Sequence, residues 1–448
     1  MPTVIIETHG CKLNQADSQV LARKFTDAGF QLVDSGQRAD VYVLDTCTVT
    51  QVADRKARNS LRAARRQSPK ALIVATGCYA ERDPRALETL QDVDLVLGNT
   101  DKDSLIQEIL SLQIGMLSPY STSEEMAVQT GMKAPEGTHR TRAMVKIQEG
   151  CNQVCAFCIV PKVRGRERSI PADNLVSQIL ALEDEGYQEV VLTGTQLISY
   201  GFDIPNANLT RLIEMLLTKT TIPRIRVSSL QPQVIGPDLI ELWNDPRMCP
   251  HFHIPLQSGS NSILKRMGRR YTADIFISST ELIRASIAGA SITTDVLVGF
   301  PGEGEGEFQE THRTCLDVGF ADMHIFPYSV RPGTSAAHFA NHVDPTTKNR
   351  RGKLLIRLAK TLTDEFRDCL LGQVRPVLWE GIGTGLFAGK WSGLTDNYVR
   401  VYTEDPRDLA NTITDTKLLQ NRHGVLYGRA ARNPLDVLVN IRPPLAQT

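Results

Sequence analysis

The sequence predicts an α/β fold in three parts: an N-terminal doubly wound parallel α/β domain, a partial (βα)6 barrel of the TIM type, and a small C-terminal antiparallel β-barrel. Three observations carry this. Near the N-terminus, three short apolar runs each end on a cysteine and alternate with helical stretches. From Thr141 onward, strand and helix patterns alternate six times. Beyond Gly372 the helical pattern stops and short strands with glycine turns take over. The expected boundaries are residues 1–114, a linker over 115–137, the TIM-type barrel over 138–370 and the small barrel over 371–442.

The chain has 448 residues, with 50 Lys and Arg against 50 Asp and Glu. Balanced charge gives no bulk signal for a nucleic-acid partner and leaves a local footprint open. No apolar run approaches the ~20 residues of a membrane span, and the N-terminus opens into a strand rather than a signal or transit peptide. Nine cysteines without an export signal point to a reducing compartment in which thiols act as ligands. The expectation is a cytoplasmic enzyme with no membrane partner.

In the first part, Thr3-Val4-Ile5-Ile6-Glu7-Thr8-His9-Gly10 runs into Cys11, and Asp40-Val41-Tyr42-Val43-Leu44-Asp45-Thr46 runs into Cys47. Ala71-Leu72-Ile73-Val74-Ala75-Thr76-Gly77 likewise runs into Cys78. Helical stretches lie between, Asp17 to Ala28 closed by Gly29 and Gln51 to Arg66 stopped before Pro69. Strands alternating with helices imply a parallel sheet, whose strands all end at the edge where ligands bind. The three cysteines, 36 and 31 residues apart in sequence, should therefore meet and form a second cluster site; small buried core thiols are the alternative. The second helix carries Arg55, Arg58, Arg62, Arg65 and Arg66 on one face, a stripe that suits phosphate contacts or plain solvation. Val93 to Leu97 and Ser104 to Leu112 add a further strand and helix.

The TIM-type barrel has candidate strands at Ala143–Gln148, Glu189–Thr193, Arg224–Ser228, His251–Pro255, Ser291–Val298 and Asp322–Phe326. Its helices are expected at Ala172–Glu185, Leu209–Leu217, Gly236–Trp243, Ala273–Ala288 and Gly306–Val318. After the first strand comes Glu149-Gly150-Cys151-Asn152-Gln153-Val154-Cys155-Ala156-Phe157-Cys158, three cysteines spaced C-x3-C-x2-C. So tight a loop with an odd count cannot form a disulfide framework. Thiolates at this spacing suit an iron–sulfur cluster, in which three cysteines leave one iron open to a ligand. A zinc site lacking its fourth ligand and three unrelated thiols are the alternatives.

Other loops on the same face, at the C-terminal ends of the strands, have features of a cofactor site. They are Thr193-Gly194-Thr195, Gln257-Ser258-Gly259-Ser260 and Gly299-Phe300-Pro301-Gly302-Glu303. Basic Lys162, Arg164, Arg166 and Arg168 follow the cysteine loop and suit an anionic substrate or a solvated run. Cys249, Cys315 and Cys369 have no partner at ligand spacing, and His251, His253 and His324 fit packing or hydrogen bonding better than metal binding. In the last part, Val374–Glu380, Tyr398–Tyr402 and Leu435–Ile441 read as strands, and Tyr398 and Phe387 as exposed aromatics able to stack on bases.

The C-x3-C-x2-C spacing with Phe157 before the last cysteine resembles the signature of radical S-adenosylmethionine enzymes. The C-terminal stretch, from Val377-Leu378-Trp379-Glu380-Gly381 to Gly393-Leu394-Thr395-Asp396-Asn397-Tyr398, resembles the RNA-binding TRAM domain. Together with the strand-end cysteines, these parts in this order make the whole chain similar to the methylthiotransferase family. Arg164-Gly165-Arg166-Glu167-Arg168-Ser169, His253-Ile254-Pro255-Leu256-Gln257-Ser258-Gly259-Ser260 and Lys265-Arg266-Met267-Gly268-Arg269 support the match. Gly10-Cys11-Lys12-Leu13-Asn14-Gln15 resembles the branch acting on N6-threonylcarbamoyladenosine in tRNA. Thr46-Cys47-Thr48-Val49-Thr50 and Arg269-Arg270-Tyr271 agree with that branch. One departure is Asp45, where the family commonly has asparagine.

The resemblance implies two [4Fe-4S] clusters, one on Cys151, Cys155 and Cys158 and an auxiliary one on Cys11, Cys47 and Cys78. It implies S-adenosyl-L-methionine held near Phe157, Thr193, Gly194, Gln257, Ser258 and Gly299, with RNA contacts from Arg164, Arg166, Arg168 and Tyr398. One S-adenosylmethionine methylates a sulfur at the auxiliary cluster, and a second yields the 5′-deoxyadenosyl radical that starts functionalisation of adenosine C2. The implied partners are a tRNA anticodon loop, an electron donor such as flavodoxin or ferredoxin, and a sulfur donor. Competing readings are the same reaction on N6-isopentenyladenosine-37 or on a ribosomal-protein aspartate, a radical methyltransferase without sulfur insertion, and a non-catalytic RNA-binding metalloprotein.

Overall fold

The structure, a computed structural model, describes residues 1–113 and 141–431. The expected linker at 115–137 and the expected strand Leu435–Ile441 lie outside the described residues. No helix among the described residues is long and apolar enough to cross a membrane.

In the first part β1 (Thr3–Thr8), α1 (Lys12–Asp27), β2 (Gln31–Leu32), β3 (Val41–Thr46), α2 (Gln51–Gln67) and β4 (Leu72–Gly77) follow in order. Then come α3 (Cys78–Arg82), α4 (Pro84–Glu88), β5 (Leu95–Leu97) and α5 (Leu105–Gln113). The five strands pair in parallel in the order β2-β1-β3-β4-β5. Side chains alternate across β3, and both faces are covered. Val41 and Val43 pack with Leu21 and Phe25 of α1, while Tyr42 and Leu44 pack with Ala57 and Leu61 of α2. The strand order reverses between β1 and β3, which opens a ligand crevice at their C-terminal ends. Helix α1 starts at Lys12, five residues before the expected start, so Cys11 is its N-cap. Its early apolar positions, Leu13 and Ala16, continue the same buried stripe as Leu21 and Phe25.

All six expected strands of the next part form, as β6 (Arg142–Glu149), β8 (Glu189–Gly194), β9 (Arg224–Val227), β10 (His251–His253), β11 (Ser291–Val298) and β12 (Asp322–Pro327), with a short antiparallel β7 (Arg168–Ser169) on β6. The helices are α6 (Val160–Val163), α7 (Ala172–Asp184), α8 (Leu209–Lys219), α9 (Pro237–Ile240), α10 (Asn261–Met267), α11 (Ala273–Ser286), α12 (Glu305–Val318) and α13 (Pro345–Cys369). The sheet divides into β7-β6-β8-β9 and β10-β11-β12, joined at the seam by bridges from Ile225 to Met248 and Ser229 to His253. One face of these strands is apolar: Val145, Val190, Ile225, Phe252 and Ile292 pack with the surrounding helices. The other face is polar and looks inward. Helix α1 lies along the free edge of β6, where Met144 N donates to Gln19 Oε1 (2.9 Å).

The last part is a closed barrel of β13 (Val374–Ile382), β14 (Trp391–Thr395), β15 (Arg400–Thr403), β16 (Ile413–Arg422) and β17 (Val425–Ala430), ordered β13-β14-β15-β17-β16. Four seams are antiparallel and one, β15 to β17, is parallel. Its β14–β15 turn enters the N-terminal mouth of the larger barrel. There Ser291 Oγ donates to Asn397 O (2.6 Å), Arg226 Nη1 to Asp396 O (3.0 Å) and Asn397 Nδ2 to Gly289 O (2.9 Å).

Candidate active site

Strand register brings the first three cysteines to one edge. Thr8 pairs with Asp45 and Thr46 with Gly77, so Cys11, Cys47 and Cys78 leave adjacent strand ends together. Gly10 and Gly77 make these exits possible, with φ of +114° and +94°. A Cβ on Gly10 would stand 2.8 Å from Cys47 Cβ, and one on Gly77 would collide with the Asp45 carboxylate. Cys47 and Cys78 are buried and Cys11 is exposed.

The second trio is held by hydrogen bonds from three sides. Cys151 N donates to Gly165 O (3.1 Å), Ala156 N to Met267 O (2.8 Å), and Ala336 N to Ala156 O (2.8 Å). The Glu167 carboxylate accepts from Asn152 N (3.0 Å) and Nδ2 (3.2 Å). Gly150 turns the chain at φ +76°, and a Cβ there would collide with the Arg166 carbonyl. Gln148 braces the loop from inside, donating to Gly150 O (2.8 Å) and accepting from Gln196 N (2.9 Å).

The surroundings of the sulfurs fit thiolates. Arg164 Nε (3.3 Å) and Asn99 Nδ2 (3.6 Å) aim at Cys78 Sγ, Arg269 Nη1 (3.5 Å) at Cys155 Sγ, and Gln153 N (3.4 Å) at Cys151 Sγ. Burial pushes the Cys47 and Cys158 thiols up to about 12, a cost of ionisation that a bound metal offsets. No three His, Cys, Asp or Glu side chains among the described residues converge as they do around a single ion; an iron–sulfur cubane takes its thiolates at separate corners. Beside Cys151, Thr195 Oγ1 and Gln196 Nε2 are buried without a partner among the described residues, which suits an adjacent polar ligand.

The two trios adjoin. Cys78 packs with Ile159 and Val163, and Ile159 directly follows Cys158. A charge network spans the junction: Arg164 donates to Asp17 (2.6 Å), Glu149 (2.7 Å) and Asn14 (3.1 Å). Lys102 bridges Asp17 and Asp45, and Lys146 bridges Asp17 and Glu149. Three cations meet three carboxylates. Asp45, fully buried, thus has a counter-ion in Lys102 (3.0 Å).

Several expected contacts are corrected by this geometry. Arg164 is 5 % exposed and its guanidinium is committed to the junction, so it offers nothing to RNA. Tyr398 is not an exposed base-stacking platform: it adopts φ +71° and stacks on His251 at 4.6 Å inside the barrel mouth. Ser258 is fully buried and bonds Thr311 of α12 (3.1 Å), away from the cofactor face. Gly299 is not among the corrected contacts: it turns the chain at φ +73°, where a Cβ would collide with the Lys348 side chain. Phe387 is half-buried rather than fully exposed, with one ring face stacked on Tyr402 at 4.2 Å.

The remaining residues are placed as follows. Thr193 is buried, and Gly194 lets β8 approach Gln148, whose carbonyl would lie 2.9 Å from a Cβ. Phe157 meets Phe300 edge-on at 6.4 Å. Gln257 holds φ +62° between Asp295 and Leu297, and Arg166 and Arg168 are exposed. Sequence reasoning gave no role to Gln148, Gln196, Lys102 or Arg269. Only Arg269 had a signal, inside the Lys265–Arg269 motif. Deeper in the barrel, burial opposes ionisation of Asp295, yet hydrogen bonds from His253 and His324 (3.3 Å each) hold it well below the usual carboxylate range.

Residues 3–98 match a family described as Uncharacterized protein family UPF0004, and residues 145–315 match the Radical SAM superfamily. A solved radical S-adenosylmethionine methyltransferase, TsrM from Kitasatospora setae, has a similar fold, with a TM-score of 0.53 and 15% identity over 75% of this chain and 77% of that one. Barrel and cysteine loop together define a radical S-adenosylmethionine enzyme, a class that uses that cofactor with a [4Fe-4S] cluster.

The chain is 37% identical to the threonylcarbamoyladenosine tRNA methylthiotransferase MtaB of Bacillus subtilis, over 96% of this chain and 97% of that protein. It is 37% identical to the Aquifex aeolicus protein of the same name, over 92% and 98%. A tRNA-2-methylthio-N(6)-dimethylallyladenosine synthase of Pelobacter propionicus is 33% identical, over 95% and 98%. The chain belongs to the tRNA methylthiotransferase family.

Proposed function

We propose that this chain adds a methylthio group to C2 of N6-threonylcarbamoyladenosine at position 37 of tRNA, using S-adenosyl-L-methionine and two [4Fe-4S] clusters. The observation that carries the reading is the junction of the trios: Cys78 touches the segment that follows Cys158, so one substrate atom can reach both centres. Cys151, Cys155 and Cys158 would hold one cluster, and Cys11, Cys47 and Cys78 the other. When bound, the clusters supply the electron that opens the sulfonium of S-adenosylmethionine and the sulfur that is transferred.

The chain's own residues bind, orient and exclude water. Gln148 and Gln196 fix the cysteine loop, and the unpartnered Thr195 Oγ1 and Gln196 Nε2 join Thr193, Gly194, Phe157 and the Gln257 backbone in lining the cofactor. Exposed Arg166 and Arg168 contact the tRNA backbone. The Phe387–Tyr402 stack, with Tyr427 at 6.4 Å from Tyr402, gives the small barrel the base-stacking surface that Tyr398 does not provide. A flavodoxin- or ferredoxin-type electron donor and a sulfur donor complete the partners, and the reaction belongs in the cytoplasm with its tRNA.

The test is nucleoside analysis after anaerobic reaction of reconstituted enzyme with S-adenosylmethionine, reductant and tRNA bearing N6-threonylcarbamoyladenosine. The expected product is heavier by a methylthio group and absent with Cys47→Ala, whose iron content drops from about eight to about four per chain. Accumulation of 5′-deoxyadenosine over an unchanged nucleoside would overturn the substrate assignment and keep the radical site.

A further inference from the structure

Three cations crowd one aromatic ring in the barrel interior. Around the Tyr398 ring stand Lys12 Nζ at 5.5 Å, Arg142 at 5.7 Å and Arg226 at 4.8 Å from the centroid. Two of these cations have counter-ions. Arg226 forms a bidentate pair with Glu189 (2.7 and 3.1 Å), and Arg142 Nη2 lies 2.6 Å from Glu380. Lys12 has neither a hydrogen bond nor an ion pair with any of the described residues. Arg142 Nε and Nη1 are buried and likewise have no hydrogen-bond partner among the described residues. Buried donors and a desolvated ammonium are costly unless a ligand brings the matching acceptor and charge. Among the described residues around Tyr398, Lys12 is the cation that no carboxylate pairs.

Its position matters. Lys12 directly follows Cys11, and its side chain reaches into the barrel. In an N6-substituted adenosine the substituent leaves the ring at C6, separated from the reacting C2 by N1 alone. Whatever grips the far end of that substituent must lie within about a side chain's length of the sulfur that attacks C2. Lys12 meets that requirement because it neighbours a cysteine of the auxiliary trio.

We infer that Lys12, assisted by the free N–H groups of Arg142, is the specificity element for the substituent: it binds the carboxylate of the threonylcarbamoyl group. The inference rests on the substrate reading above. A neutral isopentenyl group would leave the ammonium unpaired in the chamber, which supplies rejection as well as attraction.

The test measures binding of the reconstituted holoenzyme, without S-adenosylmethionine, to three anticodon stem-loop RNAs. They carry N6-threonylcarbamoyladenosine, its neutral methyl ester, or unmodified adenosine at the target position. The wild type should prefer the acid over the ester by about ten- to a hundredfold, the range of a hydrogen bond to a charged group. Lys12→Met should erase that preference, keep its iron content and keep its affinity for the unmodified loop; Lys12→Arg should restore most of it. Equal binding of acid and ester by the wild type overturns the anion site without recourse to any variant. A preference that survives in Lys12→Met overturns the assignment to Lys12 and leaves the substrate reading intact. Wild-type enzyme that does not distinguish the modified loop from the unmodified one instead defeats the substrate reading.

Discussion

Arg164 pairs with buried Asp17 and half-buried Glu149 through one guanidinium, and removing it leaves Lys102 and Lys146 as two cations against the three carboxylates of the junction. Arg164→Met should destabilise the protein by about 3–5 kcal/mol, as for other broken buried pairs, measurable by denaturant unfolding under anaerobic conditions. Gly150→Ala should act on one centre only. Its Cβ meets the Arg166 carbonyl, the loop carrying Cys151 cannot close, and iron should fall to about half with the auxiliary trio still loaded. Glu7 links pH to stability: hydrogen bonds from His9, Tyr42 and Ser60 hold its carboxyl down to about 2 against its burial. A depressed carboxyl stabilises fully above its unfolded value near 4.5, and that contribution is lost as pH falls through the window between about 4.5 and 2. Partly exposed as it is, Glu7 should contribute about 1–2 kcal/mol. Glu7→Gln should flatten the acid limb of a stability–pH profile in that window.

Elements position these residues through their ends. Helix α1 begins at the cysteine of β1 and then runs along β6, so one helix holds Cys11, pairs Asp17 with Lys146 and caps the free strand edge. The β14–β15 turn works as a plug rather than a free loop. Asn397 is fully buried, with Oδ1 accepting from Thr395 Oγ1 (2.6 Å) and Nδ2 donating to Gly289 O. Asn397→Ala should therefore cost about 1–3 kcal/mol, the range for a buried group left unpaired. Thermal unfolding reads the loss. Among strands, those with uniform apolar runs were legible in the sequence: β1, β3, β4 and all six of the larger barrel. β14, β16 and β17 were not, because polar residues fill their exposed positions, as in Ile413-Thr414-Asp415-Thr416-Lys417, and closure of the barrel supplies the order that composition does not.

At the scale of the whole molecule the three parts share buried contacts. Arg224 and Arg226 of the larger barrel donate to carbonyls of Pro376, Leu394 and Asp396 in the smaller one, and Arg226 and Glu189 are fully buried. Truncation after Leu370 should lower the melting temperature of what remains by several degrees, whereas removing a tethered RNA-binding module would leave it unchanged. The sequence alone determined the order of parts, the class of chemistry and the six candidate ligands. The order of parts and the ligands depend on local periodicity, on cysteine spacing and on residues that follow a strand directly, and the class of chemistry on the resemblance of those motifs to a known family. Tertiary structure alone decided that Arg164 faces Cys78, that Tyr398 closes a barrel mouth and that Lys12 stands without a counter-ion. A charged or aromatic side chain reads the same in sequence whether it meets solvent or a partner 150 residues away; only the packing of distant elements sets its burial and its counter-charge.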